Sequence, residues 1–243
     1  MRKIKQFALF GLPAVMALAV VGLMAVRAAD EKEGKMLPEP AKTYAPDKAT
    51  KPGETRTAIF AGGCFWCVEG VFELVDGVKD ATSGYAGGTK ETANYEAVCT
   101  KKTAHAEAVK VTYDPAKVSY GELLRIFFTT HDPTTKDRQG NDVGPQYRSA
   151  IFYLDDEQKA VAEAYIKQLN DGKAFPNPVV TTLEPLKPDA FYVAEDYHQN
   201  YAKCNPNNPY IRFVSQPKAD KLKAKFPDKI KKDEAPAAAP EKK

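Results

Sequence analysis

Two cysteines three residues apart stand in the segment GGCFWCVEG, where they flank the only tryptophan of the chain. Such a pair can be half of a metal site, a redox couple, or a nucleophile beside an unrelated thiol. Cys64 follows two glycines at the end of a strand-like run, and apolar residues recur after it at helical spacing. Free N–H groups at a helix start stabilise a thiolate. Cys64 is therefore the expected nucleophile.

The other cysteines leave three interpretations of the pair open. Cys99 and Cys204 are isolated, and the three histidines are scattered. Because a structural zinc site needs a second ligand pair at matching spacing, we expect no metal. By chemistry alone, a general thiol–disulfide oxidoreductase using Cys64 and Cys67 is favoured. A non-enzymatic exported module with structural disulfides is the third interpretation, and we interpret Cys99 as a small buried apolar residue.

The two ends of the chain differ from its middle. Residues 1–29 join a basic start to an apolar run, which predicts a signal peptide or an uncleaved N-terminal anchor. Either one predicts an exported, periplasmic or otherwise extracytoplasmic protein. Residues 30–56 and 227–243 are charged and proline-rich, so we expect a disordered linker and a disordered tail. The folded domain is then expected over residues 57–226.

Composition bounds the function classes. Hydrophobic residues make up 43% of the chain, which is enough to bury a core without disulfides. The formal net charge is only +3, and the basic residues cluster at the two ends. We therefore expect no nucleic-acid partner, and membrane contact only through the N-terminal segment. We expect a monomer.

Strand-like and helix-like segments alternate inside the folded window. TAIFAGG, AVKVTYD, RSAIFYL and VVTTLEP predict strands, and SYGELLRIFFTTH begins with the capping box Ser119–Glu122 of a helix. A second helix is predicted in DDEQKAVAEAYIKQLNDG, with Gly172 just past its end. This alternation predicts one mixed α/β domain. The polar segment from His131 to Tyr147 has almost no core-forming side chain, and a loop of this length is often functional.

Five sequence blocks together resemble the A-type peptide methionine sulfoxide reductases over roughly residues 57–215. These blocks are GGCFWCVEG, SGYAGG, AHAEAVKVTYDP, HDPTTKDRQGNDVGPQYRSAIFY and AEDYHQNY, in this order. The resemblance implies a single compact domain, a two-layer α/β plait (ferredoxin-like) with a mixed sheet and long coil segments. It implies no metal and no organic cofactor. The implied activity is reduction of methionine-S-sulfoxide in proteins or peptides, with the free amino acid left open.

The resemblance also assigns the reacting groups. Cys64 matches the nucleophile, whose thiolate attacks the sulfoxide sulfur. Glu107 matches the acid that protonates the sulfoxide oxygen, because oxide is a poor leaving group without protons. Burial that raises the pKa of Glu107 would keep this proton in place.

Further positions match the substrate pocket of the family. Tyr95 and Tyr147 match tyrosines whose hydroxyls hold the sulfoxide oxygen, and Asp142 matches a carboxylate that positions a water. Phe65 and Trp66 match the apolar pocket that receives the substrate methyl group. A polar side and an aromatic side together can select one epimer at sulfur, and the two epimers have separate reductases.

The second thiol is less clearly assigned. Many relatives carry resolving cysteines in a glycine-rich C-terminal tail, and this chain has no such tail. Cys67 replaces the usual glycine one helical turn from Cys64, whereas Cys204 follows the AEDYHQNY block. Both remain candidates to convert the sulfenic acid to a disulfide, with Cys67 favoured. Thioredoxin or a similar dithiol protein is the implied reductant.

Overall fold

The computed structural model describes residues 36–45, 51 and 53–232. The strands from Arg56 onwards belong to one compact unit. They are β1 Arg56–Gly62, β2 Val78–Ala86, β3 Ala106–Tyr113, β4 Arg138–Gln139, β5 Asp142–Val143, β6 Ser149–Tyr153, β7 Thr182–Pro185 and β8 Tyr192–Val193. The helices are α1 Phe65–Phe72, α2 Tyr95–Cys99, α3 Tyr120–Thr130, α4 Asp156–Asp171, α5 Tyr201–Cys204 and α6 Gln216–Lys225.

Six strands form one mixed sheet in the order β7-β6-β1-β3-β2-β8. Strands β6 and β7 run parallel, and the other neighbours are antiparallel. Strands β4 and β5 make a separate short hairpin. The predicted mixed α/β domain is therefore confirmed.

The two faces of the sheet are covered differently. On one face, the buried Phe60 ring packs between Phe72 of α1 and Phe127 of α3, at centroid distances of 5.2 and 5.0 Å. On the other face, Ile59 and Ala61 join a cluster of small buried residues, against which Phe191 packs. Strand alternation explains the split, and burial of one such aromatic side chain contributes about 2–3 kcal/mol.

Local signals place the predicted helices well. The capping box of Ser119 and Glu122 is present at the start of α3, and Gly172 ends α4. Strand β2 escaped prediction, although it pairs with β3 along its whole length. Polar residues such as Lys79 and Asp80 give this segment a low strand propensity. Its pairing with β3 stabilises the strand despite that composition.

Part of the expected linker is folded. Residues 37–45 form an N-terminal strap that packs against α3 and α4. The side chains of Leu37 and Tyr44 are buried; Arg125 donates to the Leu37 carbonyl at 2.7 Å, and the Tyr44 hydroxyl donates to Asp155 at 2.6 Å. The prediction of disorder over 30–56 is wrong here, because a few anchoring side chains are hidden by the charged average composition. Residues 30–35, 46–50 and 52 lie outside the described part.

The beginning of the expected tail is folded too. Ile230 bridges to Val75, and the Asp76 amide donates to the Lys229 carbonyl at 2.7 Å. The predicted disorder is therefore wrong for residues 227–232, while 233–243 are outside the described residues. The signal or anchor over residues 1–29 is outside them as well. Within the described ranges, no helix is long and apolar enough to cross a bilayer.

Candidate active site

The turn between β1 and α1 is built for close approach. Gly63 has a φ of +95°, and a Cβ there would lie 2.6 Å from the Gln139 side chain. A Cβ on Gly62 would lie 2.9 Å from the Phe127 ring. Glycine is therefore required at Gly63 for its conformation and at both positions for space. The turn delivers Cys64 to the start of α1, with the 131–147 segment packed against it.

The two thiols of the motif form a buried pair. Cys64 is the N-cap of α1 and is 8% exposed, whereas Cys67 is 0% exposed one turn later. Their side chains hydrogen-bond to each other. Burial raises the pKa of Cys64, and the hydrogen bond from Cys64 lowers the pKa of Cys67 to about 6. At neutral pH the pair therefore holds one proton and one negative charge.

Glu107 lies on β3 beside the pair and is only 2% exposed. Its Oε2 accepts the amide proton of Phe65, in the first turn of α1, at 3.0 Å. Burial raises the pKa of Glu107 to about 8, and the charge of Asp142 adds to this shift. The side chain is therefore a protonated acid at neutral pH, as the expected chemistry requires.

Two tyrosines face the same space. Tyr95 begins α2 and Tyr147 ends the 3-10 turn Pro145–Tyr147; both are half-buried. Burial raises the pKa of each hydroxyl, and the neighbouring charges of Glu107 and Cys64 raise it further. Both hydroxyls are thus donors at neutral pH within electrostatic range of the acid and the nucleophile.

Asp142 is held by a residue that sequence reasoning missed. The Tyr210 hydroxyl donates to Asp142 at 2.5 Å and lies 3.9 Å from the Cys67 sulfur. Tyr210 stands 143 residues from Cys67 in the chain, in NNPYIRF. No local motif marks it, and only the fold brings it to the thiols.

The aromatic neighbours of Cys64 have different roles. Trp66 is half-buried, stacks on Tyr201 at 3.8 Å and donates from its indole nitrogen to His198 Nδ1 at 3.1 Å. Phe65 is 1% exposed and packs against Tyr85 and His198. Trp66 is therefore partly open beside Cys64, whereas Phe65 is enclosed in the core. His198 accepts the indole hydrogen bond and packs against both rings.

A second carboxylate fixes the tyrosine side of the site. Glu195 accepts the Tyr95 amide proton at 2.8 Å and the Tyr85 hydroxyl proton at 2.8 Å. These bonds lower the pKa of Glu195 against the effect of its burial. Its charge therefore anchors the start of α2 and orients Tyr95.

The two remaining cysteines are both exposed. Cys99 lies against the Tyr95 side chain and hydrogen-bonds with it, so the interpretation of Cys99 as a buried apolar residue is wrong. Its position in the last turn of α2 brings it to the rim of the site. Cys204 ends α5 at the surface. Of the two candidate resolving thiols, Cys67 is the one that contacts Cys64.

Comparison with known proteins agrees with this geometry. The family model "Peptide methionine sulfoxide reductase" matches residues 56–230. The chain is 50% identical to peptide methionine sulfoxide reductase MsrA 2 of Synechocystis over 81% of this chain and 91% of that protein. It is 51% identical to MsrA of Deinococcus radiodurans over 76% of this chain and 89% of that one.

Solved structures give the same result. Reduced Mxr1 from Saccharomyces cerevisiae is 36% identical, with a TM-score of 0.58 over 65% of this chain and 90% of that chain. Methionine sulfoxide reductase A of Corynebacterium diphtheriae is 37% identical, with a TM-score of 0.55 over 64% of this chain and 77% of that chain. The chain therefore belongs to the MsrA family of peptide methionine sulfoxide reductases.

Proposed function

We propose that this chain reduces the S epimer of methionine sulfoxide to methionine, with Cys64 as nucleophile and Glu107 as acid. The observation that carries the proposal is the buried, protonated Glu107 held against the first turn of α1 by the Phe65 amide. A general disulfide exchanger needs no such acid. A protonated carboxyl beside a nucleophilic thiol fits a reaction that must protonate a leaving oxygen.

The proton count of the resting site matches the reaction. As Cys64 attacks the sulfoxide sulfur, its proton passes to the Cys67 thiolate, and Glu107 protonates the oxygen. The hydroxyl group then passes from the methionine sulfur to the Cys64 sulfur as the bond between the two sulfurs breaks. Methionine leaves, and Cys64 becomes a sulfenic acid. The Cys67 sulfur then attacks the Cys64 sulfur, the S–OH bond breaks, and the thiol proton leaves with hydroxide as water. The two protons that water needs are those held by the thiol pair and by Glu107.

The pocket walls support the choice of epimer. The Tyr95 and Tyr147 hydroxyls donate to the sulfoxide oxygen, and Asp142, held by Tyr210, positions a water beside them. Trp66 receives the methyl group on the opposite side. Because the polar and apolar walls are fixed by separate contacts, only one configuration at sulfur satisfies both.

Cys67 is the proposed resolving thiol. It already contacts Cys64, and residues one helical turn apart are within reach of a disulfide after a local adjustment. The exposed Cys204 has to approach from the surface past the Trp66–Tyr201 stack. We assign Cys204 to the outside of the site.

A single-turnover assay tests these assignments together. The pre-reduced full chain receives each epimer without added reductant; methionine is counted per chain, and the disulfides are then mapped by mass spectrometry. We expect about one methionine, from the S epimer only, and a Cys64–Cys67 bond. Cys67→Ser should still release one methionine but stop at the sulfenic acid.

Cys204→Ser is the matched control and should behave as wild type. A Cys64–Cys204 bond would move the resolving role to Cys204. If neither epimer yields methionine and Glu107→Ala still exchanges disulfides, the result would favour a general thiol–disulfide oxidoreductase.

We also propose the setting in which the enzyme works. Thioredoxin or a similar dithiol protein reduces the disulfide, and the enzyme acts as a monomer outside the cytoplasm. Export is supported by the basic and apolar composition of residues 1–29. Cell fractionation with N-terminal sequencing of the mature chain tests it, since a cut signal, a retained anchor and a cytoplasmic chain give three different results. Light scattering tests the monomer.

A further inference from the structure

Reduction of the proposed Cys64–Cys67 disulfide poses a problem of access. An outside thiolate must reach one sulfur in line with the S–S bond. In the described structure Cys67 is 0% exposed and Cys64 is 8% exposed. A partner protein must therefore engage whatever covers the pair. This inference rests on the proposed function and concerns the partner of that same site.

The cover over Cys67 is one short turn. Residues Ile211–Ser215 form a π-helical turn between Tyr210 and α6. The Tyr210 hydroxyl lies 3.9 Å from the Cys67 sulfur, and Ser215 also hydrogen-bonds with it. The turn and α6 pack against α1. π-Helical turns are rare, and those that occur are frequently at functional sites.

The outer side of this turn is apolar at its centre. The Phe213 side chain is 75% exposed, the largest exposed fraction among the large hydrophobic residues described. The Arg212 guanidinium lies 5.9 Å from its ring centroid. Ser215, two residues after Phe213 in the same turn, hydrogen-bonds with Cys67, so a partner that contacts Phe213 touches the segment that lies over this thiol. Exposed aromatic and arginine side chains are frequent anchors of protein interfaces.

The surroundings of Phe213 are basic. The sequence from 210 to 225, YIRFVSQPKADKLKAK, carries five basic residues and one acidic residue, whereas the whole chain has a net charge of only +3. Lys218 lies close enough to influence the charge on Cys67. Lys221 is exposed on α6. An acidic protein surface is the electrostatic complement of this patch.

We propose that the turn Ile211–Ser215 and the adjoining basic face of α6 are the docking site of the reducing partner, an acidic dithiol protein. Phe213 is its apolar anchor, and Arg212 and Lys221 are its charged contacts. Displacement of the turn uncovers the thiol pair. Because the exposed anchor and the cover are one turn, docking and uncovering are the same event.

Reduction then proceeds by two thiol–disulfide exchanges. The partner thiolate attacks the Cys64 sulfur, which is the more exposed of the two. The Cys64–Cys67 bond breaks, and Cys67, whose pKa is lowered, leaves as a thiolate. The second thiol of the partner passes its proton to the enzyme pair and attacks the partner's sulfur in the mixed disulfide, which releases Cys64. The partner becomes oxidised by two electrons, and the enzyme returns to its reduced pair.

Steady-state kinetics with two reductants tests the docking site. One arm varies a purified thioredoxin of net negative charge, kept reduced by its reductase, and the other uses dithiothreitol. We expect Phe213→Ala to lower kcat/KM for thioredoxin about tenfold. We expect Lys221→Glu to lower it about threefold and to weaken its salt dependence. Both variants should keep wild-type rates with dithiothreitol and one methionine per single turnover.

Matched variants on other surfaces are the controls. Val180 lies just before β7 and is 40% exposed, and Lys187 lies just after β7 and is also exposed. Val180→Ala and Lys187→Glu should leave both arms unchanged. If Phe213→Ala leaves thioredoxin kinetics unchanged, or changes only the KM for an oxidised protein substrate, the docking proposal is overturned. Loss of single-turnover methionine in the wild type would instead refute the proposed function.

Discussion

Two buried carboxyl groups lie at helix α1: one approaches its first turn from β3, and the other belongs to the helix itself. Burial raises the pKa of both, but their surroundings differ. Glu107 meets the first turn of α1 and accepts the Phe65 amide proton. Glu69 comes from the middle of α1 and accepts the Ser83 amide proton at 3.3 Å. Burial raises the pKa of Glu107 to about 8 and that of Glu69 to about 7.

The surroundings of the two groups decide what they can do. Glu107 shares its space with Cys64 and with Tyr95 and Tyr147, and so faces the reacting atoms. Glu69 is 0% exposed between β2 and the segment around Gln199, which also accepts the Ser83 amide proton. A raised pKa therefore marks a buried acid, and only access to a thiol and a substrate makes it an acid catalyst.

The largest expected effect separates the two acids directly. Glu107→Gln keeps an oxygen that accepts the Phe65 amide proton but has no carboxylic proton to give. We expect the single-turnover rate of methionine formation to fall about 100- to 10,000-fold, while Glu69→Gln stays within about twofold of wild type. Rapid-quench measurement of methionine checks both. A loss below about fivefold in Glu107→Gln would place the proton donor elsewhere.

The pH profile sharpens the same comparison. The reaction needs the thiol pair with one proton removed, whose lowered pKa is about 6, and Glu107 with its proton kept, whose raised pKa is about 8. The single-turnover rate should therefore rise through about pH 6 and fall through about pH 8, by about tenfold per unit outside this window. A profile that stays flat to pH 10 would exclude Glu107 as the acid.

A smaller effect is expected from the neighbour of Glu107. The negative charge of Asp142 helps to raise the pKa of Glu107. Asp142→Asn removes that charge, so the alkaline limb should move to lower pH by about half a unit to one unit. The same limb measured in Glu69→Gln should not move. An unchanged limb in Asp142→Asn would show that this charge does not reach the acid.

The smallest effect concerns stability and belongs to Glu69. Its folded-state pKa of about 7 lies above the ordinary value of 4.5, so the folded state binds the proton more tightly. Its contribution to stability is fully present below about pH 4.5 and is lost as pH rises through about 7. Glu69→Gln cannot titrate. As pH rises from 5 to 8, wild type should therefore lose about 2 kcal/mol of unfolding free energy relative to Glu69→Gln. Urea titration at each pH measures this difference. A constant difference would refute the buried titration.

Short-range patterns carried the sequence predictions that hold. The apolar run of β1, the glycine pair before Cys64 and the capping box at Ser119 each depend on neighbours a few residues apart. The failures depend on distant partners. Strand β2 is stabilised by β3, and the N-terminal strap by two distant helices. Composition averaged over a charged segment cannot register a few side chains that fit such distant surfaces.

By itself, the sequence pointed to Cys64, because a strand, two glycines and a helix start place this residue at the N-cap of α1. The thiolate expected there from the helix start is not what the structure shows, since burial raises the pKa of Cys64. Only the tertiary structure decided the rest of the site. It distinguished Cys67 from Cys204 as the thiol in contact, brought Tyr210 to Asp142 across 68 residues of chain, and separated the acid that faces Cys64 from the acid enclosed behind α1. Contact, burial and shared space are properties of surfaces that meet, and residues far apart in the chain acquire them only when the sheet and helices close.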